Sequence, residues 1–370
     1  MKIIVDGRPI REPLSGSAVF IIELLKGLKL HNISVDLFIQ SNQGKNNQIL
    51  NIDHDSLLSS NGNKTFENIA YELGINKKTE ENFLVGHETY FGRLPFKCKN
   101  KIATIHDVIP LDFPEWFTWK NSIFAKRNFK RQIKTADYCI FSSQYTKDRV
   151  MAHGTVMGES SIIPLAVSNE IHISKNQYMN IGSEKINFDI VKPHSYILAV
   201  GNVEPRKNLP LIAKSLNQLN KNLDMNLDLV IAGHANYEAK SIIEEITSNL
   251  GKPPITLGFV TNDEKIELYK HAACHVYASK YEGFGIPPVE SLVIGTPTVI
   301  ANNSSLKELI PSKKIAFDAE SEESLCSAIE NNLYKNSHLV VGESIDKYIE
   351  FYSWKRVAHD YLNIYNKLIS

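Results

Sequence analysis

Short, continuously apolar runs alternate with stretches of helical period along almost the whole chain. In the first half these runs fall at residues 2–5, 35–39, 83–85, 101–105 and 138–141, with 161–164 as a further candidate. In the second half they fall at 196–200, 229–232, 255–257, 275–278, 298–301 and 314–317. Runs this short, without polar alternation, suit parallel strands buried on both faces. The helical stretches between them indicate βαβ units with right-handed crossovers. The predicted fold class is therefore α/β, as two doubly wound, Rossmann-like domains. The pattern lapses between Val167 and Pro193, in a polar, Asn-rich stretch that marks the boundary. A last helical stretch, 345–369, carries Phe351, Tyr352, Trp354, Tyr361 and Tyr365, a density that needs a large packing partner.

Open α/β sheets bind ligands beyond the carboxyl ends of their strands. Two such domains facing one another would form an inter-domain cleft. Strand ends are thus where chemistry is to be sought.

Composition narrows the classes. At 370 residues the chain is long enough for two domains. Its 41 basic and 41 acidic residues cancel, which argues against nucleic acid as a partner but leaves room for a local cationic site. The four cysteines, Cys98, Cys139, Cys274 and Cys326, form no C-x-x-C pair and have no histidine at zinc spacing. They read as reduced thiols in a cytoplasmic protein. The amino terminus starts on a strand pattern rather than an apolar leader, and no run is long enough to span a bilayer.

Five stretches could carry chemistry. The decamer Tyr281–Glu290 reads YEGFGIPPVE, with Glu282 and Glu290 eight positions apart. Gly283 and Gly285 allow close backbone approach, with Phe284 and Ile286 beside them. Pro287 and Pro288 preset a helix expected to run from about 288 to 294. The amino end of that helix would offer free N–H groups to a phosphate. Glu290, placed in its first turn, could accept from a ribose, and Glu282 could hold sugar hydroxyls. The plainer alternative makes Glu290 a helix-dipole partner and Glu282 a solvated loop residue.

The stretch 201–208, GNVEPRKN, follows a strand and sets Arg206 and Lys207 side by side, able to neutralise a diphosphate. Otherwise it is a solvated turn with Asn208 as helix N-cap. Gly16, in the loop after the first strand, could contact a phosphate, although neither a GxGxxG nor a P-loop is present. His106 ends a strand with Asp107 beside it to fix its tautomer, or the two form a structural pair. Residues 116–134 mix aromatics with Lys120, Lys126, Arg127, Lys130, Arg131 and Lys134. They form either a surface helix packed on the sheet or a peripheral membrane contact. Asp53-His54-Asp55 matches a metal-binding D-x-D only formally, and no metal site is expected.

Together these residues resemble the GT-B glycosyltransferases of family 4, including bacterial mannosyltransferases of surface-polysaccharide assembly. EGFGIPPVE is similar to that family's E-x7-E signature, GNVEPRKN to its donor loop, DGRPIREPLSG to its amino-terminal glycine loop and TIHDVIPL to its His-Asp strand end. FSSQYTKD and IIPLAV also have counterparts there. The resemblance implies an acceptor domain over 1–175, a donor domain over 193–345, and a C-terminal helix, 346–370, returning to the first domain. It implies that Arg206 and Lys207 neutralise the donor diphosphate, Glu290 binds the ribose and Glu282 contacts the donor sugar. Gly283, Phe284, Gly285 and Ile286 would line the donor, Gly16 would lie beside the diphosphate and His106 near the transferred sugar. Some members have arginine where this chain has Asn202, so neutralisation would rest on Arg206 and Lys207.

The implied reaction is retaining transfer of a hexose from a nucleotide sugar to a glycan or polyprenyl-linked acceptor, without metal or other cofactor. Mannose from GDP-mannose is the leading donor, in O-antigen, capsule or related polysaccharide synthesis on the inner face of the membrane. UDP-sugars are an alternative. Two other classes compete: a nucleotide-sugar 2-epimerase and a sugar-nucleotide or glycan-binding protein without turnover. Glu282→Ala or Lys207→Ala is expected to abolish transfer while leaving the thermal melt intact.

Overall fold

The computed structural model describes residues 2–10, 16–33, 35–39, 57–59, 82–168, 170–171, 191–235, 239–335 and 345–370. Asp53–Asp55, residues 11–15 of the glycine loop and most of the expected boundary segment lie outside the described residues.

The chain gathers into two compact units: Met1–Leu165 with Trp354–Ser370, and Ala166–Ser353. In the first, strands β1 (Ile3–Asp6), β2 (Asp36–Ile39), β3 (Leu57–Ser59), β4 (Asn82–Glu88), β5 (Lys97–Ile105), β6 (Tyr138–Phe141) and β7 (Glu159–Ile162) form one sheet. Its order is β3-β2-β1-β4-β5-β6-β7, and every pairing is parallel. The second unit holds β8 (Tyr196–Val200), β9 (Asp228–Ala232), β10 (Ile255–Gly258), β11 (Cys274–Tyr277), β12 (Thr298–Ala301) and β13 (Ala316–Phe317). Their order is β10-β9-β8-β11-β12-β13, again all parallel. In both sheets the order reverses beside the first strand, the switch point where open α/β sheets bind ligands.

The strands form where the apolar runs lie because runs without polar alternation can be buried on both faces. Ile197, Leu198, Val230, Ile231, Val276, Val299 and Ile300 are all buried. β3 has no such signal. It is a three-residue edge strand in polar sequence, stabilised by its pairing with β2.

The aromatic tail departs from the expected single helix. It is two helices, Ile345–Phe351 and Trp354–Ile369, and only the second belongs to the first unit. The break falls where Tyr352 O accepts from Val167 N, so the outgoing and returning chain run side by side. Trp354, Val357, Ala358, Tyr361, Ile364 and Tyr365 make the buried stripe of the second helix at helical spacing. That stripe packs on the Gly16–Leu30 helix, where a side chain on Gly27 would press against Ala358 and the Trp354 carbonyl.

The Trp119–Thr135 helix buries Ala125, Asn128, Phe129, Gln132 and Ile133. Its outer face keeps Trp119 69% and Ile123 59% exposed, with Lys120, Lys126, Lys130 and Lys134 also exposed. No acidic residue occurs in this helix. Among the described residues no helix is long and apolar enough to cross a membrane.

Candidate active site

The loop after β8 brings the two adjacent cations to the loop after β11. Gly201 at φ +136° turns the chain, and its missing side chain leaves room for the Lys207 stem, whose Cε would stand 3.1 Å from a Cβ there. Pro205–Lys207 form a short 3-10 turn ending at Asn208 in a left-handed conformation, φ +54°. The expectation that Asn208 caps the following helix is not met. Its side chain instead donates to the Ala319 carbonyl at 3.0 Å, because a left-handed residue cannot aim its side chain at the first helical N–H groups.

Three donors converge on one oxygen of Glu282. Arg206 Nη1 lies 2.6 Å, Lys207 Nζ 2.7 Å and the Tyr277 hydroxyl 3.0 Å from Oε1. Lys207 also donates to the Tyr277 hydroxyl at 2.7 Å, and Arg206 Nε to Glu204 at 2.8 Å. Glu282 and Lys207 are each only 8% exposed, which excludes the reading of Glu282 as a solvated loop residue. Burial alone would raise the Glu282 pKa, but Lys207 and Arg206 outweigh it and bring the carboxyl down to about 2. Burial lowers the Lys207 ammonium below its ordinary value, opposed mainly by Glu282. Backbone contacts fix the carboxylate from behind: Glu282 N donates to Ser304 Oγ, and Ser305 Oγ donates to the carbonyls of Glu282 and Phe284.

The helix after the decamer runs Ile286–Ile294, starting two residues earlier than expected. Gly285 at φ +107° begins it, and a Cβ there would meet Leu306 at 2.6 Å, so glycine is required. Pro287 and Pro288 occupy its first turn, and Glu290 consequently lies in the second turn, not the first. There it is buried, paired to Lys265 Nζ at 2.6 Å and to the Tyr269 hydroxyl at 3.1 Å. The reading of Glu290 as a mere helix-dipole partner therefore fails. The next residue, Ser291, bonds His275 Nδ1 at 2.9 Å, and burial holds that imidazole at a pKa of about 3.

In the first unit, Gly16 is not a loop residue but the exposed first residue of the Gly16–Leu30 helix, with open space where a side chain would sit. Phe20 of that helix meets the His106 ring edge-on, centroids 4.6 Å apart. His106 follows β5, but Asp107 does not fix its ring. The Asp107 carboxylate accepts from Ile109 N at 3.0 Å, since a residue at a helix start can satisfy a free N–H two positions on. Both His106 ring nitrogens are buried without a well-formed hydrogen bond. Burial lowers the ring to about pKa 4, the Thr89 backbone opposing it, so His106 is neutral at pH 7. Its carbonyl is anchored by Ser142 Oγ at 2.7 Å and Thr146 Oγ1 at 3.2 Å, both from FSSQYTKD.

Arg206, Lys207 and Glu282 thus come together in the second unit, Glu290 belongs to a separate cluster with Lys265 and Tyr269, and in the first unit His106 packs on Phe20 of the helix that Gly16 begins. Sequence reasoning missed Tyr277, Ser304, Ser305, Lys265 and Tyr269. Tyr277 was readable as a residue near the end of the apolar run 275–278 that precedes the site. The others carry no local signal. Among the described residues no three His, Cys, Asp or Glu side chains gather in a way that could hold a metal ion.

Residues 183–343 match the family described as Glycosyl transferases group 1. Over its whole length the chain is 21% identical to the whole of O-antigen chain mannosyltransferase B of Escherichia coli. It is 24% identical, over 78% of its length, to serotype-specific mannosyltransferase WbdA of Escherichia coli, of which it spans 36%. In structure it resembles Anabaena HepE, solved in complex with UDP and glucose, with a TM-score of 0.71 at 12% identity over 99% of this chain and 100% of that one. The second unit therefore holds a glycosyl transferases group 1 domain, and the chain is a glycosyltransferase with the GT-B fold. Its relatives also include an uncharacterized glycosyltransferase, MJ1178 of Methanocaldococcus jannaschii, 23% identical over 94% of this chain and 92% of that protein.

Proposed function

We propose that this glycosyltransferase moves mannose from GDP-mannose to a hydroxyl of a glycan or polyprenyl-linked acceptor in surface-polysaccharide synthesis. The transfer retains anomeric configuration and uses no metal or other cofactor. The observation that carries the reading is the convergence of Arg206, Lys207 and Tyr277 on Glu282. Two cations at a strand end can turn to a diphosphate, offset the charge that grows as the nucleoside diphosphate leaves, and so stand where a divalent cation would otherwise act. The three donors occupy Glu282 Oε1, and none of them takes Oε2, which is offered to hydroxyls of the donor sugar.

Gly283, Phe284, Gly285 and Ile286 bring backbone N–H groups to the helix start for the phosphates. Glu290, held by Lys265 and Tyr269, accepts from the ribose. In the first unit Gly16 meets the diphosphate and neutral His106 meets the transferred sugar. The cytoplasmic face of the membrane is the site of action, reached by peripheral contact through residues 116–134. The exposed Trp119 and Ile123 among lysines support that contact. Mannose rests on the O-antigen mannosyltransferases among the relatives.

A UDP-sugar donor is the second reading, favoured by the UDP held in the similarly folded HepE. A melting screen against GDP-, UDP-, ADP- and TDP-sugars without divalent metal separates them, because a ligand of the folded state raises the midpoint. GDP-mannose is expected to give the largest shift. A shift with none of the four would overturn the transferase reading, and a shift with the UDP-sugar alone would replace the donor.

A further inference from the structure

A concavity of about 300 Å³ in the first unit is lined by Gly86, Glu88, Arg93, Lys97, Cys98, Lys101 and Arg131, among others. It owes its existence to an unusually short crossover. β4 and β5 pair in parallel from Asn82↔Lys97 to Glu88↔Ala103, so the eight residues between them must travel back along the full strand length. The eight residues form no helix; the link turns tightly at Tyr90–Gly92 and sets Leu94 and Phe96 in the apolar cluster with Phe38 and Phe83. Gly86 leaves the floor open, since a side chain there would collide with Cys98 and press on Leu94 at 3.3 Å.

The charges around this space do not balance. Arg131 spends its guanidinium on Glu88, through bonds of 3.0 and 2.8 Å, and on the Gly92 carbonyl. Glu88 is further bonded by Gln132 at 3.1 Å and Leu94 N at 3.2 Å, and has little left to offer. The nearby Asp137 carboxylate takes the Lys101 backbone N–H rather than its ammonium. Arg93, Lys97 and Lys101 therefore face the pocket, and none of the three forms an ion pair or side-chain hydrogen bond among the described residues. Three cations without an ion-pair partner line one hollow in a chain of zero formal net charge, and an anion bound among them would relieve their mutual repulsion. One guanidinium with two ammonium groups is the donor set that takes phosphate oxygens. Cys98 does not compete as an anion, because burial pushes its thiol up to about 11.

We propose that this pocket is an anion site for a phosphate- or diphosphate-bearing ligand, separate from the Arg206–Lys207–Glu282 cluster. Its ligand is either a soluble phosphate compound or the headgroup of a phospholipid. The site lies in another unit from the donor cluster and needs no turnover, so it stands or falls independently of the donor assignment.

The test uses inorganic pyrophosphate and iodoacetamide on the full chain. Cys98 lines the pocket, so its alkylation rate, read by peptide mass spectrometry, reports occupancy there and not at the donor cluster. At constant ionic strength pyrophosphate is expected to slow Cys98 modification by about threefold or more. An Arg93→Ser/Lys97→Ser/Lys101→Ser variant, which removes only unpaired side chains, should melt as the parent does and lose the protection. Vesicles of phosphatidylglycerol against phosphatidylcholine form the second arm. Protection by the anionic vesicles, lost in the variant, assigns a lipid headgroup, whereas protection by pyrophosphate alone assigns a soluble phosphate. The melting midpoint is the second readout, with pyrophosphate expected to raise the parent above the variant. Equal midpoint shifts in parent and variant, or protection that survives in the variant, would overturn the proposal.

Discussion

Lys207 Nζ lies 2.7 Å from Glu282 Oε1 and 2.7 Å from the Tyr277 hydroxyl, and all three side chains are buried. This changes the expected behaviour of Lys207→Ala and Glu282→Ala. Removing one partner strands the other charge without water. Each single variant should lose about 3 kcal/mol of stability as well as transfer activity. The double variant should be less destabilised than the sum, with a coupling of about 2 kcal/mol in chemical denaturation. Unchanged melting in both single variants would show that the pair is not formed in solution.

Tyr277→Phe keeps the ring under Lys207 and deletes one of the three donors on Glu282 Oε1. Its stability cost should be about 1 kcal/mol. Because the missing donor leaves Lys207 freer to swing, kcat for transfer should fall more than KM rises, by about tenfold. Steady-state kinetics on the purified variant decide it, and a change confined to KM would place Tyr277 in ground-state binding.

Gly285→Ala combines φ +107° with a Cβ 2.6 Å from Leu306 Cδ2. A destabilisation of about 2 kcal/mol or more is expected, since neither the backbone nor the packed leucine can yield cheaply. Gly16→Ala, with open space around it, is the control and should melt near the parent.

Acid should unfold this protein early. His87, His106 and His275 are held neutral by burial, near pKa 3, 4 and 3 against an ordinary 6.5. The unfolded chain therefore binds more protons, and stability is fully present above pH 6.5 and lost as pH falls toward 4. The slope is at most about 1.4 kcal/mol per pH unit for each histidine. Below about 4.5 the protonation of Glu282 adds to the loss. Denaturant titrations at pH 7, 6, 5 and 4 measure it, and a flat profile would mean these rings are hydrated.

The outer face of the Trp119–Thr135 helix can be altered without touching the core. Trp119→Ser with Ile123→Ser should leave the unfolding free energy within about 0.5 kcal/mol of the parent. Sedimentation with anionic vesicles should fall severalfold, and undiminished sedimentation would remove this helix from the membrane proposal.

The sequence by itself determined the sheet strands wherever an apolar run was continuous, because burial on both faces leaves no other use for such a run. Tyr138–Phe141, Tyr196–Val200 and Thr298–Ala301 have the same bounds in sequence and structure. It also pointed to the candidate site, since Arg206-Lys207 and Glu282 lie in the loops that follow two strands, and strand ends are where α/β sheets present chemistry. Tertiary structure alone decided which atoms meet. Glu282 and Lys207 are 75 positions apart and join only because β8 and β11 are neighbours in the sheet. Glu290 found Lys265 and Tyr269, and His106 lost the Asp107 contact that adjacency had suggested. Arg93, Lys97 and Lys101 carry no motif in sequence, and only the pairing of β4 with β5 gathers them around one pocket. Periodicity is a property of neighbours along the chain, whereas ion pairs and pockets depend on distances across it, and those are fixed only when the whole sheet closes.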